Sequence, residues 1–137
     1  MDLQQTVYIS RALPDLTPAE VQDILRCSIR RNDADGLTGF LIYGHGLFLQ
    51  LLEGEPAAVD ATMHRIRCDP RHSQIQELQR ETVARRQYGK WSMGFKDLGR
   101  DDLSLEPYLP YAGRALTLEQ IQLRPRYALQ LLRSVST

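Results

Sequence analysis

Gly46-Leu47-Phe48-Leu49-Gln50-Leu51-Leu52-Glu53-Gly54 is an apolar strand with a primary amide at its centre. A stretch this greasy is buried on at least one face, and side chains alternate along it, so Phe48, Gln50 and Leu52 share a side. Burying an unpaired amide costs about 2–7 kcal/mol, depending on the reference state. Gln50 carries two donors and an acceptor oxygen, so both ends need partners. Two arrangements satisfy them. Gln50 is either a core amide bonded to nearby backbone, or an amide that faces a polar ligand and a second side chain together.

The flanking sequence sets the architecture around this strand. Gly44-His45-Gly46 turns the chain back from a strand over 37–43, giving a hairpin into a strand over 47–53. Upstream, Thr6-Val7-Tyr8-Ile9-Ser10 is a first strand. Thr17-Pro18-Ala19-Glu20 opens a helix, with threonine as N-cap, proline in the first turn and Glu20 closing a capping box. Its apolar stripe of Val21, Ile24 and Leu25 turns polar at Ser28 and Asn32, and Asp35-Gly36 ends it. Pro56 opens a second helix that turns Val59, Met63 and Ile66 inward and stops at Asp69-Pro70. Further strands are expected over 76–85 and 91–98. The order β-α-β-β-α-β, with one more strand, predicts an α+β fold, a ferredoxin-like split βαβ sheet with both helices on one face.

After Asp101 the character changes. Pro107, Pro110 and Gly113 break the chain, and Thr117 caps a helical pattern rich in leucine, too apolar for a free linker. We therefore expect a domain over 1–98 and a helical cap or output extension over 99–137, packed on the open sheet face or on a partner.

Composition narrows the function classes. The 137 residues carry 17 basic and 17 acidic side chains, a balance that disfavours a general nucleic-acid or membrane-surface binder. The two cysteines, Cys27 and Cys68, suit neither a disulfide framework nor a zinc site. They are read as structural, as are His45 and His64. The apolar runs are strand-sized, and the first residues do not resemble a signal peptide, so a soluble cytoplasmic protein is expected.

If the first and third strands are the central pair of the sheet, Tyr8 and Gln50 lie side by side, a phenol beside an amide. Ser28 and Asn32 from the first helix, and Arg65 and Asp69 from the second, face the same space. That space suits a flat heteroaromatic ring whose edge the amides of Asn32 and Gln50 can read. Taken singly, Tyr8 is an ordinary core tyrosine and Asn32 a left-handed helix terminus. Trp91 and Met93 are core filling, and Arg71-His72 a solvated loop pair.

Taken together, these residues resemble the BLUF family, blue-light sensors using FAD. The likeness covers about residues 6–95. It rests on Tyr8-Ile9-Ser10, Arg31-Asn32, Gly36-Leu37-Thr38-Gly39-Phe40-Leu41-Ile42-Tyr43, Phe48-Leu49-Gln50-Leu51-Leu52-Glu53-Gly54, Arg65-Ile66, Asp69-Pro70-Arg71-His72 and Trp91-Ser92-Met93, in order and at matching spacing. The resemblance implies a photoreceptor that holds FAD noncovalently and is not an enzyme. Tyr8 would be its light-driven electron donor and Gln50 the switching amide. Asn32 would hold the pyrimidine edge of the ring, with Ile24, Ser28, Phe48 and Met93 around it. Arg65, Ile66, Asp69, Arg71 and His72 would line the ring and the ribityl-phosphate end. Trp91 and Met93 would be the strand-five pair that relays the signal. Arg31 departs from the asparagine or histidine common at its position, so its contact would be to a carbonyl or a phosphate.

Signal output would pass through the 99–137 extension to a homo-oligomer or a downstream effector protein. Two alternatives come from other classes. A ferredoxin-like enzyme, acylphosphatase-like or isomerase-like, would use Arg65, Asp69 and His72. A flavin-free interaction module would tolerate leucine at Gln50.

Overall fold

Thr17 and Glu20 start the first helix as their spacing predicts. In the computed structural model, which describes residues 2–44, 46–89 and 92–97, helix α1 (Pro18–Asp35) has a complete capping box. The Thr17 hydroxyl accepts from the Glu20 amide at 3.2 Å, and a Glu20 carboxylate oxygen accepts from the Thr17 amide at 3.1 Å. Gly36, at φ +70°, closes the helix in the left-handed region that glycine adopts without strain. The left-handed terminus is thus Gly36, and Asn32 stays helical and buried.

The remaining elements are β1 (Leu3–Ala12), β2 (Thr38–Gly44), β3 (Leu47–Gly54), α2 (Pro56–Arg67), β4 (His72–Val83) and β5 (Gly94–Asp97). They form one five-stranded sheet in the order β4-β1-β3-β2-β5. Only β2 and β5 pair in parallel. This is the expected split βαβ arrangement with β3 in the middle, and all eight residues of β3 are buried.

Register follows from the alternation along β3. Tyr8 and Leu41 both lie opposite Gln50, so the three make one row across the sheet centre. Leu52, Phe48 and Tyr8 on that face pack with Val59 and Met63 of α2, and Ile24 and Leu25 of α1 close over them. Val7, Ile9, Phe40, Ile42, Leu49 and Leu51 take the other face and are also buried. Gly39 has no room for a side chain, because a Cβ there would meet the Leu51 carbonyl oxygen at 2.0 Å. No described helix is long and apolar enough to cross a membrane.

Several boundaries differ from the sequence-based expectation. β1 runs from Leu3 to Ala12 because two antiparallel partners extend it past its apolar centre. β4 begins at His72 instead of position 76, since a left-handed Gln74 (φ 53°) and the register shifts against β1 let pairing start early. His72 is therefore a strand residue and not part of a solvated loop. α2 ends at Arg67, so Asp69 lies beyond it. β5 is confined to Gly94–Asp97, and Met93 immediately precedes it. Trp91 and the expected extension over 99–137 lie outside the described residues.

Replacing Thr17 with alanine removes the cap acceptor while leaving the core untouched. We expect a loss of about 1 kcal/mol of stability, read as a lower urea midpoint with an unchanged slope.

Candidate functional site

A cleft opens between the helices and the sheet, with about 700 Å³ of empty space including its mouth. That is enough for a flat polycyclic ligand. Tyr8, Phe48 and Gln50 form its floor; Ile24, Ser28, Arg31 and Asn32 form the α1 wall. Arg65 and Ile66 come from α2, Asp69 and Arg71 from the turn into β4, and His72 from the first position of β4. Every residue expected to touch the ligand lines this cleft, apart from Met93, which reaches its inner end through Gln50.

At that inner end the Tyr8 hydroxyl donates to Gln50 Oε1. Gln50 Nε2 in turn donates to Met93 Sδ at 3.5 Å. A thioether is a weak acceptor, so the amide is held firmly on its oxygen side and lightly on its nitrogen side. Tyr8 is only 3% exposed. Burial pushes its phenol well above the ordinary range, and the Asp69 carboxylate adds to the shift. Tyr8 is thus a neutral donor whose proton points at Gln50.

Asn32 is 2% exposed, on the α1 wall. Its Nδ2 donates to the Ser92 carbonyl at 2.9 Å, which ties α1 to the chain entering β5. Its Oδ1 makes no hydrogen bond among the described residues. No fully buried side-chain polar atom lacks a partner among the described residues, so this oxygen opens onto the cleft, where a donor can reach it.

His72 is locked between two partners. Nε2 lies 2.7 Å from the Ile66 carbonyl, and Nδ1 lies 2.7 Å from the Ser10 hydroxyl. A carbonyl only accepts, so Nε2 carries the proton, and in the neutral ring Nδ1 accepts from Ser10. The imidazole stands edge-on to both Tyr8 and Phe48.

Charge gathers at the mouth. Arg71 donates to Asp69 at 2.7 Å and reaches Asp23 at 3.3 Å. Arg65 pairs with Asp35 and donates to Thr62, both at 3.0 Å. Burial pushes the Asp69 carboxyl up, but the side-chain and backbone hydrogen bonds from Arg71 outweigh it and hold it below the usual range. Arg31 is exposed and makes no hydrogen bond or ion pair among the described residues. It is a free cation beside the opening.

Three lining residues escaped the sequence reading: Cys27, Leu41 and Thr62. Cys27 was expected to be structural, yet it faces the cleft. Its place three residues after Ile24 and next to Ser28 could have indicated this. Leu41 faces Gln50 through the β2–β3 register, and Thr62 lies one helical turn before Arg65.

Comparisons with known proteins bear on the family and the fold. The family model described as "Sensors of blue-light using FAD" matches residues 3–94. Photoactivated adenylate cyclase subunit beta of Euglena gracilis is 35% identical over 92 residues, covering 66% of this chain and 11% of that protein. The blue light- and temperature-regulated antirepressor BluF of Escherichia coli is 33% identical over 104 residues, 74% of this chain and 26% of its own length. This chain thus spans only a small part of those curated relatives. The dark-state structure of BlrB, a BLUF protein, superposes with a TM-score of 0.80 at 30% identity, covering 98% of this chain and 95% of BlrB. The chain belongs to the BLUF family of blue-light sensors.

Proposed function

We propose that the cleft holds FAD noncovalently and that Tyr8 and Gln50 are its photochemical partners. The observation that carries this proposal is the run Tyr8–Gln50–Met93, a buried phenol, amide and thioether in series on the cleft floor. The donor set suits an isoalloxazine. Asn32 Oδ1 is free to accept from its N–H edge, and the Gln50 amide can donate to a ring carbonyl. Arg31, Arg65 and Arg71 at the mouth suit the phosphates. Arg65 and Arg71 already pair with Asp35, Asp69 and Asp23, so Arg31, with no acidic partner among the described residues, is the cation best placed for a phosphate that leaves through the opening.

A flavin held in the cleft would supply, on excitation by blue light, a one-electron oxidant. Tyr8 would give an electron to that ring and its hydroxyl proton, along its hydrogen bond and through the Gln50 amide, to the same ring, and would later take both back, so no net bond change remains and no product leaves. Its burial favours moving the two together, because a bare charge at that site lacks solvation. While the hydroxyl proton is away, Gln50 Oε1 loses its donor. The weak grip of Met93 on Nε2 then leaves the amide free to rotate or tautomerise. After the proton returns, Gln50 rests with altered partners, and the change reaches Met93 and the chain leading to β5. Output through residues 99–137 to a second copy or an effector protein belongs to the same proposal.

The enzyme alternative finds little support in the same residues. Both His72 nitrogens are engaged, and Asp69 is held by Arg71. Neither is a ready base.

The purified protein should be yellow, and blue light should move its flavin band slightly to the red, reversibly and without bleaching. Tyr8→Phe and Gln50→Leu should each keep the flavin and lose that shift. Persistent bleaching, or a normal shift in either variant, would count against the mechanism. Asn32→Ala acts in both light states and should weaken flavin retention about tenfold, the cost of one buried hydrogen bond. Equilibrium dialysis against free FAD measures it, and unchanged affinity would take Asn32 out of the site.

A further inference from the structure

Glu53 is a fully buried carboxylate on the sheet face opposite the cleft, where the rest of β3 is aliphatic. Burying an ion is expensive unless hydrogen bonds replace its water. Here they do. Oε1 accepts from the Tyr88 amide at 2.6 Å and the Thr38 hydroxyl at 3.1 Å. Oε2 accepts from the Gln87 amide at 2.9 Å and Gln5 Nε2 at 3.4 Å. All four partners are donors, so the site is built for the ionised form.

Two of those donors are consecutive backbone amides in the connection from β4 to β5. Arg86, just before them, donates to the Gly36 carbonyl at 2.8 Å, the Thr38 hydroxyl at 2.9 Å and the Glu53 carbonyl at 3.3 Å. The Tyr88 ring packs on Phe40, on the face that Glu53 serves. Ser92 and Met93 lie on the other face, bonded to Asn32 and Gln50. Tyr88 thus lies on one side of the sheet and Met93 on the other. One end is pinned by a carboxylate and the other is held by the light-sensitive amides.

We propose that Glu53 is a positioning residue of the photoswitch: by fixing the Gln87–Tyr88 backbone it sets where Met93 rests against Gln50. The proposal rests on the photochemical role given above to Gln50. With the far end fixed, a change at Gln50 is passed toward β5. With that end loose, Met93 exchanges partners more easily and the lit arrangement relaxes sooner.

The test is the dark-recovery rate of the flavin band after a blue-light pulse, in the flavin-loaded full chain. Glu53→Gln sets an amide N–H against backbone N–H groups and should keep FAD and the red shift. Recovery should accelerate about three- to tenfold, as if one net hydrogen bond were lost from the barrier. Arg86→Met, at a more accessible position, should act in the same direction and decides the matter if Glu53→Gln fails to fold. Thr17→Ala, which destabilises the fold far from this connection, should recover at the wild-type rate. A wild-type protein without a red shift would defeat the photosensor proposal itself. A normal wild-type shift with unaltered recovery in Glu53→Gln and Arg86→Met would overturn the role of Glu53. So would equal acceleration in Thr17→Ala, because the effect would then be general loosening.

Discussion

The hydrogen bonds of Gln50 are the constraint around which this molecule is arranged. Its strand is the middle one of five and is buried along its whole length, so the amide must find its partners in neighbouring side chains or in the cleft. Tyr8 must therefore lie opposite it, which fixes the β1–β3 register; a slip of one residue would turn the phenol to the other face. Met93 must approach from the far side, which fixes where the chain enters β5. The helices then cannot close fully over this row, because the cleft begins where the amide points. Local hydrogen-bond need and global topology coincide here.

Much of this was legible in the residues. The capping box at Thr17, the alternation through Phe48, Gln50 and Leu52, and the polar turn of the α1 stripe at Ser28 and Asn32 are short-range signals that survive into the fold. What escaped notice depends on partners distant in sequence. His72 looks like a loop residue until β1 is seen to pair with it and Ser10 and Ile66 claim its nitrogens. Cys27 and Leu41 are unremarkable letters whose place on the cleft wall is set by helix rotation and sheet register. Glu53 ends the apolar strand motif, and nothing near it in the sequence names its partners. Its burial follows only from the return of Gln87 and Tyr88 beneath it.

The two polar centres of β3 differ in their chemistry. Gln50 is neutral and ambivalent, able to exchange donor and acceptor roles at small cost. Glu53 is an ion with a single role and four donors, which makes it costly to disturb. Their side chains point to opposite faces of one strand, so an amide with two kinds of bonding and a carboxylate with one share the same backbone.

β5 gives this arrangement a thermodynamic gradient. Among the described residues it is an edge strand of four residues, joined to the sheet only through β2, whereas β1 and β3 are each flanked on both sides by strands of seven residues or more. Free energies of local opening range from near zero at frayed edges to the global value in the core. Amide hydrogens of β5 accordingly belong to the first cooperative unit to open, and those of β1 and β3 to the last. The strand next to Met93 is thus the least costly part of the sheet to release, and a perturbation at the cleft has a direction in which to travel without unfolding its own frame.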